Sequence, residues 1–408
     1  MTKKLYYENN SITCRATVLV CVAAEGGEYD VLLDQTAIYP EGGGQPSDTG
    51  TIGSARVSHA REEKGDIWHR CDKPVAAGAL VDVRADEARR MDHTQQHTGE
   101  HLFSGVAAKL FGAKNVGFHI AADVSTLDLD KPLTQEQVAQ LELAVNETVQ
   151  RNEPTVIRMV SAEELHNLEL RKKADGLEGE IRIVYAGGVD SCTCCGTHCI
   201  RAGEAGPFKV LSSIHYKGGV RVTFLCGMRA VRSMMEDARR VAAIARRFST
   251  KPESAVEAVI RQGDELASLK RELKERTEKL LSLRAAELLA ACGAGEAGAT
   301  PTDVKLVLAR EDGLDMTELA SLAEKLCQSG RVVAVVFSKK REQLYYRLNR
   351  SAGVGLSMKE VCLAVNGLTG GKGGGRDDSA QGSAPVKPGW EETREQLERY
   401  LKSRLRAN

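Results

Sequence analysis

The chain has 408 residues, and at about 150 residues per domain this length predicts two or three domains. Lys and Arg number 56, as do Asp and Glu, so the sequence lacks the global basic excess of a protein that coats nucleic acid. Aromatic residues make up only 4% of the chain, which argues against a base-stacking platform. No apolar run approaches the roughly 18 residues of a membrane span, and no secretory signal is recognisable at the N-terminus. We therefore expect a cytoplasmic protein, without a membrane partner, whose eleven cysteines stay reduced.

Residues 1–88 are predicted to form a small β-barrel, with a sandwich as the alternative. Apolar and β-branched runs at 16–23, 29–33 and 80–83 are typical of short strands, and Gly, Asp and Asn separate them. No long helical pattern interrupts this part of the sequence. The overall fold class is therefore expected to be α+β and multidomain, with the barrel at its N-terminal end.

The spacing of apolar residues changes near Met91, which predicts an α+β domain over 89–227. Asp92 followed three residues later by Gln95 is typical of a capping box, so a helix is predicted to begin there. A second helix is predicted over 134–151. Strands are predicted at 155–160, 181–185, 208–214 and 220–225.

Residues 228–292 are predicted to form a helical arm. One helix covers 228–248, a break follows at 249–252, and a longer helix ends near Cys292. Five leucines of the longer helix follow a three-four alternation that Arg276 interrupts, which predicts a coiled-coil seam or a helical hairpin: Leu266, Leu269, Leu273, Leu280 and Leu283. Lys and Arg number 14 and Asp and Glu 10 over 229–292. This excess fits a solvated face or a stripe that faces nucleic acid.

A linker is predicted at 293–300, inside the last predicted domain, 293–408. This domain is expected to be α/β. Its strands are predicted at 304–309, 332–337 and 344–348, and its helices at 314–327, 358–366 and 391–406. The densest glycine segment of the chain runs from Gly367 to Arg376. Lys372 in this segment is not followed by Ser or Thr, so it is not a Walker A motif and ATP binding is not expected.

Two short motifs form a candidate metal site. His97 and His101 are four residues apart, so on a helix they share one face and their imidazoles can converge on a cation. Cys194 and His198 are also four apart, and Gly196 lets the chain turn tightly between them. Three imidazoles and one thiolate suit tetrahedral Zn²⁺, so one zinc ion per chain is predicted.

Alternatives to this site remain open. Residues 97–101 also satisfy H-x-x-E-H, a zinc-peptidase pattern in which Glu100 is the general base, but that interpretation leaves Cys194 and His198 unused. A structural zinc that ties the helix to the loop is a further alternative. The spare thiols of Cys192, Cys195 and Cys199 leave the identity of the sulfur ligand open.

Three segments together resemble one family. The glycine-rich segment from Thr36 to Gly50 is similar to that of freestanding alanyl-tRNA editing proteins of the AlaX type, and to the editing region of alanyl-tRNA synthetase. The motifs at 97–101 and 194–198 resemble the two zinc half-sites of that family. The segment 370–376, with Ala380 and Gln381, resembles the glycine motif of the DHH-associated domain, which the long AlaX form carries at its C-terminus. In order, these segments span nearly the whole chain.

Two departures from the family pattern stand out. Cys195 occupies a position where glycine is usual, and Lys372 interrupts a glycine run. Residues 1–90 are accounted for by the barrel, so we expect no aminoacylation by the family's route. The DHH-associated domain also occurs in phosphoesterases, but His93 is followed by Thr94, so the upstream D-H-H metal motif is not present.

The resemblance implies a zinc-dependent hydrolase that deacylates mischarged alanine tRNA in trans, chiefly tRNA carrying serine and also tRNA carrying glycine. An alanine pocket gains only about 1–3 kcal/mol from one methyl or hydroxyl, so a second, hydrolytic site is the usual remedy. A site that hydrogen-bonds the serine hydroxyl leaves polar groups unpaired when alanine binds. The rival interpretation is a non-catalytic tRNA-binding protein with a structural zinc.

The resemblance also assigns candidate roles. Gln45 is the candidate that orients water or the ester carbonyl, and Thr36 the candidate that contacts the serine hydroxyl, unless it is simply a strand residue. Gly42, Gly43 and Gly44 would let backbone N–H groups approach the substrate, or would form only a tight hairpin. His119 would line the pocket, or would be a core histidine. The tRNA-binding candidates are Gly371, Lys372, Gly373, Gly374, Gly375 and Arg376, whose amides and guanidinium would cradle phosphates unless the run is a flexible linker. Self-association through the C-terminal region is also implied.

Overall fold

The computed structural model describes residues 1–8, 10–174, 176, 179–292 and 304–407. Contacts along the chain define two units, which divide between Ile244 and Ala245. The predicted boundaries, 1–88, 89–227, 228–292 and 293–408, divide the chain more finely and stay a prediction. The predicted linker at 293–300 lies outside the described residues. None of the described helices combines the length and the apolar character needed to cross a membrane.

The N-terminal part of the first unit is a closed six-stranded barrel, as predicted. Its strands follow one another in space as β2-β3-β7-β6-β5-β8, all antiparallel, and β8 pairs with β2 to close the barrel. The strands of this region are β1 (Lys3–Lys4), β2 (Thr13–Ala23), β3 (Tyr29–Leu33), β4 (Gln35–Thr36), β5 (Gly50–Ile52), β6 (Ala55–Glu63), β7 (Asp66–Cys71) and β8 (Leu80–Ala85). Alternation along the strands fills the interior: in β7, Ile67, His69 and Cys71 point inward and are fully buried. Closure removes the free edges that an open sheet would expose.

The remainder of the first unit is the α+β region that was predicted. Its elements are α1 (Glu87–Phe111), β9 (Asn115–Ile120), β10 (Ser125–Leu129), α2 (Gln135–Arg151), β11 (Val156–Val160), α3 (Ala162–Asn167), β12 (Ile181–Ala186), β13 (Asp190–Thr193), β14 (Phe208–Tyr216) and β15 (Gly219–Cys226). They form two antiparallel sheets, ordered β14-β15-β10-β9 and β11-β12-β13. The core between them includes Leu102 and Phe103 of α1, Leu141 of α2 and Phe224 of β15. Helix α1 is therefore buried along most of its middle turns.

The predicted start of α1 at Asp92 is wrong. The helix begins at Glu87, and the side chain of Asp86 caps it by accepting a hydrogen bond from the backbone N–H of Arg89. Asp92 lies within the helix, where its carboxylate pairs with Arg229 at 2.6 Å. By contrast, α2 begins where the sequence predicts, because Thr134 and its third following residue, Gln137, form a capping box.

The second unit contains most of the helical region and a five-stranded sheet. Helix α4 (Gly227–Arg247) crosses the division between the units. Its successors are α5 (Ala255–Ala291), β16 (Lys305–Arg310), α6 (Met316–Cys327), β17 (Val332–Lys340), β18 (Gln343–Arg350), α7 (Met358–Thr369), β19 (Lys372–Gly375), β20 (Ser379–Pro385) and α8 (Trp390–Ala407). The strand order is β16-β17-β18-β20-β19, in which only β16 and β17 are parallel. The C-terminal end of α5 packs on this domain through Leu281 and Ala285.

The predicted leucine seam of α5 is exposed. Its five leucines keep between 52% and 66% of their surface accessible: Leu266, Leu269, Leu273, Leu280 and Leu283. The buried side chains of the same helix, such as Leu281 and Ala285, lie on a different face. Within the described residues, therefore, neither a coiled coil nor a hairpin buries this seam.

The C-terminal glycine-rich segment, 367–376, contains the end of α7 and an edge strand, β19. β19 pairs antiparallel with β20, with Gly373 opposite Gly382 and Gly374 opposite Gln381. A side chain at Gly373 would place its Cβ only 2.4 Å from the carbonyl oxygen of Gln381, whereas one at Gly374 would meet nothing within 4 Å. The linker alternative is therefore wrong for Lys372–Gly375, and the predicted cradle takes the form of an extended strand.

Candidate metal centre

Helix α1 supplies the first pair of candidate ligands. His97 and His101 lie one turn apart on a buried face, with ring centroids 5.2 Å apart and planes inclined by 31°. The i, i+4 spacing produces this arrangement, since successive turns place these side chains above one another.

The second pair comes from the loop after β13. Cys194 and His198 flank Gly196, whose backbone lies against the imidazole of His97. A Cβ at Gly196 would be 2.2 Å from His97 Cε1, so a side chain here would push the loop off the helix. Glycine is required at this position by the close approach.

The four side chains converge on one point. Cys194 Sγ lies 3.3 Å from His97 Nε2, and His101 Nε2 lies 3.1 Å from His198 Nε2. All four ligand atoms lie within 4.8 Å of one another. The edges of a tetrahedron with zinc–nitrogen and zinc–sulfur bonds of ordinary length are about 3.3–3.6 Å. The residues present therefore fit a tetrahedral Zn²⁺ ion.

Hydrogen bonds from outside the cluster orient both α1 imidazoles. Gln45 Oε1 lies 3.0 Å from His97 Nδ1, and Asp190 Oδ2 lies 2.8 Å from His101 Nδ1. With Nδ1–H donating outward, each Nε2 presents its lone pair to the centre of the cluster. Asp190 is itself held by an ion pair with Arg171.

Gln45 also joins the two halves of the site. Its Nε2 donates to Thr197 Oγ1 at 3.0 Å, and its Oε1 accepts from the backbone N–H of Thr197 at 3.2 Å. Thr197 Oγ1 lies 2.6 Å from Thr94 Oγ1 on α1. Gln45 is fully buried. Its amide therefore holds His97 and residues 194–198, which we call the metal loop, rather than facing an open cavity.

The ionisation of the cluster favours a cation. Burial raises the pKa of Cys194, but the imidazoles of His97, His101 and His198 outweigh burial and hold it well below its usual range. Burial lowers the pKa of His198 to about 3, which leaves this imidazole neutral. For His101, burial is outweighed by Cys192, Glu100, Cys194 and Asp190, which raise its pKa well above the ordinary value. The Cys194 thiolate and the neutral His198 imidazole are donors that zinc requires, whereas His101 must release a proton when the ion binds.

The cluster opens on a cavity of about 900 Å³. Its walls carry both charge signs, together with the ring of Phe118 and the backbone of Gly43. The basic residues of the wall are Lys4, Arg171, Lys172 and Arg182, and the acidic ones are Glu62, Glu100 and Glu180. A cleft with both polar and apolar walls beside a cluster of candidate metal ligands is typical of a substrate site.

The glycine motif lies beside this cavity. Gly43 lines it, Gly42 and Gln45 exchange backbone hydrogen bonds across a tight turn, and Gly44 contacts β9. Gly44 has φ +80°, and a Cβ there would be 2.7 Å from the carbonyl oxygen of Phe118. Residues 42–45 therefore form a tight turn, and the backbone of Gly44 also lies close to the backbone of β9.

Two predicted site residues lie elsewhere. Thr36 is fully buried in the barrel, where its hydroxyl lies 2.9 Å from His69 Nε2 and accepts the backbone N–H of Ile38, so it does not reach the described cavity wall. His119 is exposed, because strand alternation turns it away from the side on which its neighbour Phe118 lines the cavity. Neither Thr36 nor His119 is therefore among the residues of the described cavity wall, and their roles stay a prediction.

Glu100 is held within α1 and its surroundings. Its Oε1 accepts hydrogen bonds from Ser104 at 2.5 Å and from Asn115, and its Oε2 lies 3.6 Å from His101 Nε2. The peptidase interpretation requires Cys194 and His198 to be left over, but both lie in the cluster. This geometry does not favour the H-x-x-E-H alternative.

The spare thiols take separate positions. Cys192 forms a second possible group with His101 and Asp190, although Arg171 already neutralises that carboxylate. Cys195 faces the glycine turn, with its Sγ 3.1 Å from where a Cβ at Gly43 would lie.

The ion pair between Asp190 and Arg171 was not predicted from the sequence. The only signal was a carboxylate four residues before Cys194, and nothing marked Arg171.

Comparisons with known proteins agree with this architecture. Residues 1–89 match the family described as tRNA synthetases class II (A), and residues 303–403 match the DHHA1 domain. The first range coincides with the barrel and the second with the five-stranded sheet and its helices. The barrel region is thus similar to a part of class II tRNA synthetases.

Proteins of similar sequence identify the family more closely. Alanyl-tRNA editing protein AlaX-L of Pyrococcus horikoshii is 28% identical over 95% of this chain and 96% of its own length. Alanyl-tRNA editing protein Aarsd1 of Mus musculus is 36% identical over 53% of this chain, and the alanine–tRNA ligase of Methanosarcina mazei is 31% identical over 93%. The chain belongs to the AlaX-type alanyl-tRNA editing family, as the motifs predicted.

The coverage of these relatives differs. The match spans 57% of the mouse protein, 52% of the Bos taurus protein and 42% of the M. mazei ligase. Among solved structures, the C-Ala domain from Aquifex aeolicus alanyl-tRNA synthetase is 26% identical over 26% of this chain and 96% of that chain, with a TM-score of 0.24. A TM-score this low carries no argument about the fold.

Proposed function

We propose that this protein hydrolyses the ester of mischarged alanine tRNA in trans, with serine as the main misplaced amino acid and glycine as a second. The observation that carries the proposal is the convergence of His97, His101, Cys194 and His198 within 4.8 Å beside a cavity. The names of the relatives, alanyl-tRNA editing proteins, support the same activity.

One Zn²⁺ ion is proposed as the cofactor, held by these four side chains. When bound, zinc would supply either an oriented water and stabilisation of the developing oxyanion, or an anchor for the terminal adenosine. The chain's own contribution is to hold the ligands in place: Gln45 fixes the tautomer of His97 and the metal loop, and Asp190 fixes His101. Gln45 is therefore proposed as a positioning residue rather than as the group that orients water.

The substrate end is proposed to enter along the glycine turn. Gly43 leaves its backbone accessible at the cavity wall, where N–H groups can approach an ester oxygen closely. Phe118 offers an apolar ring on the same wall, and Lys172 and Arg182 offer positive charge for a phosphate. Serine is preferred over alanine if the cavity hydrogen-bonds the serine hydroxyl, because bound alanine then leaves that partner unpaired.

The C-terminal edge strand is proposed to contact tRNA. Lys372 and Arg376 are exposed at the two ends of β19, and an edge strand leaves outward backbone N–H groups free for phosphate oxygens. Lys372→Ala with Arg376→Ala should weaken tRNA binding and lower its salt dependence, without changing zinc content. A homodimer formed through this C-terminal region is part of the same proposal.

The deciding experiment is a deacylation assay with Ser-, Gly- and Ala-charged alanine tRNA side by side. Cys194→Ala should abolish both zinc binding and turnover, and the exposed Cys292 provides the control Cys292→Ala, which should change neither. Gln45→Ala should lower zinc affinity and turnover together. Unchanged ester half-lives with fully zinc-loaded protein would leave a tRNA-binding protein with a structural zinc.

The same assay separates the peptidase alternative. Glu100→Gln abolishes turnover if Glu100 is the general base of a zinc peptidase. The editing proposal expects this variant to retain deacylation, with a loss smaller than that of Cys194→Ala. Peptide hydrolysis by the wild-type protein would contradict the proposal.

A further inference from the structure

The metal loop lies outside regular secondary structure, and side chains from elsewhere satisfy its carbonyl groups. Residues 194–198 follow β13 without entering another strand or helix. Buried carbonyl oxygens need hydrogen-bond partners, and a loop has no ladder to provide them. The conformation that points Cys194 and His198 at the same atom therefore depends on outside donors.

Three side chains supply these donors. Arg182 Nη1 donates to the carbonyl oxygens of Cys194 at 2.8 Å and Gly196 at 3.2 Å. Tyr7 Oη donates to the carbonyl oxygen of Cys195 at 2.6 Å, and Asn10 Nδ2 donates to that of His198 at 2.8 Å. Four of the five loop carbonyls are thus capped by three side chains.

Tyr7 and Arg182 act as one unit. The guanidinium carbon of Arg182 lies 4.5 Å from the centroid of the Tyr7 ring, a cation–π contact, and both side chains line the cavity. Tyr7 lies at the end of a 3₁₀ turn, Leu5–Tyr7, and Asn10 follows closely. Arg182 comes from β12. The loop is thereby held by side chains of both the N-terminal segment and a strand of the second sheet.

We infer that Tyr7, Asn10 and Arg182 are positioning residues that preset the metal loop, so that Tyr7 and Asn10 near the N-terminus are thermodynamically linked to zinc binding. The inference rests on the zinc part of the proposed function. Without these donors, Cys194 and His198 must be brought into position when the ion binds, and part of the binding free energy is spent on ordering the loop. Partners of this outer kind typically change metal affinity by 10- to 100-fold.

The test measures zinc affinity on the full chain by competition with a chromogenic chelator. Tyr7→Phe removes only the hydroxyl and keeps the ring under Arg182. Tyr29→Phe is the matched control, because Tyr29 is another partly buried barrel tyrosine whose hydroxyl has no hydrogen-bond partner in the described structure. We expect zinc to bind about 10-fold more weakly to Tyr7→Phe and to dissociate faster, with no change in Tyr29→Phe.

Two further variants cover the other donors. Asn10→Ala removes the cap on His198 at a site that is only partly buried, so the fold is expected to survive. Arg182→Lys keeps the positive charge but loses the planar guanidinium, whose Nη1 donates to both carbonyls and whose carbon lies over the Tyr7 ring. Arg158→Lys on the exposed face of β11 is its control. Both should weaken zinc binding, whereas Arg158→Lys should not.

The outcomes distinguish positioning from ordinary stabilisation. Thermal unfolding in the presence of a chelator reports the stability of the metal-free protein. A bond that only stabilises the fold would lower the unfolding temperature of the metal-free variant and leave its zinc affinity and zinc dissociation rate unchanged. That result would overturn the inference. Failure of the wild-type protein to bind zinc would overturn both this inference and the zinc part of the proposed function. If the variants weaken zinc binding but the wild-type protein does not deacylate tRNA, the inference stands and only the proposed hydrolase activity is rejected.

Discussion

Acid should destabilise the barrel through His69. This imidazole is fully buried, and its Nδ1–H donates to the carbonyl oxygen of Val31 at 3.1 Å while its Nε2 accepts the hydroxyl of Thr36 at 2.9 Å. Burial lowers its pKa from 6.5 to about 4, although the bond to Val31 opposes the effect. The folded barrel therefore holds His69 neutral under conditions in which the unfolded chain would protonate it.

The sign and the size of the pH effect on stability follow from the difference in the pKa of His69 between the folded and the unfolded chain. Between pH 6.5 and about 4 the unfolded chain binds a proton that the folded chain does not, so stability falls as the pH falls. Each pH unit in this window costs about 1.4 kcal/mol, which amounts to roughly 3 kcal/mol in total. Above pH 6.5 both states hold neutral His69, and the contribution is constant.

Denaturant unfolding between pH 4 and 8 measures the effect. Trp68 lies on the same strand as His69 and reports barrel unfolding by fluorescence in a Trp390→Phe background. His69→Gln cannot take up a proton, so its stability should fall less steeply between pH 6.5 and 4 than that of the parent. His215→Gln is the matched control, because His215 is an exposed histidine on β14. Equal pH dependence in the parent and in His69→Gln would refute the reasoning.

Three other substitutions test the structure directly. Asp190→Asn leaves the largely buried guanidinium of Arg171 without its partner and should cost about 3–5 kcal/mol of unfolding free energy in chelator; a loss below 1 kcal/mol would contradict the buried pair. Gly44→Ala, at φ +80° and 2.7 Å from a backbone oxygen, should cost more than about 1 kcal/mol in chemical denaturation, and a neutral result would show that the turn relaxes. Gly373→Ala should lower the melting temperature of the C-terminal domain by circular dichroism while Gly374→Ala should not, because only the first meets a backbone oxygen; equal melting temperatures would contradict the pairing of β19 with β20.

Local patterns predicted the elements well where one residue type signals one local interaction. The helix predicted over 134–151 is α2, which begins after Thr134, and the apolar run at Tyr29–Leu33 is β3. The i, i+4 spacing placed His97 and His101 on one helical face. Such signals act within a few residues, so the sequence carries them without reference to the rest of the fold.

Local patterns failed where a distant partner decides the role of a residue. Asp92 has the composition of a helix cap, but it pairs with Arg229, 137 positions away, and Asp86 caps the helix instead. Thr36 belongs to a motif that suggests catalysis, yet barrel closure places its hydroxyl against His69. The α5 leucines have a coiled-coil spacing, but spacing alone does not specify whether a partner covers them.

By itself the sequence determined the separate halves of the candidate metal site and, through its resemblance, the family. Only the tertiary structure decided how those halves are held: Gln45 bridges His97 and the loop, Asp190 with Arg171 orients His101, and Tyr7 caps a carbonyl 188 positions along the chain. The physical reason is that ligand identity depends on side-chain chemistry and short spacing. Ligand orientation depends on hydrogen bonds between segments that meet only after the barrel and α1 have folded.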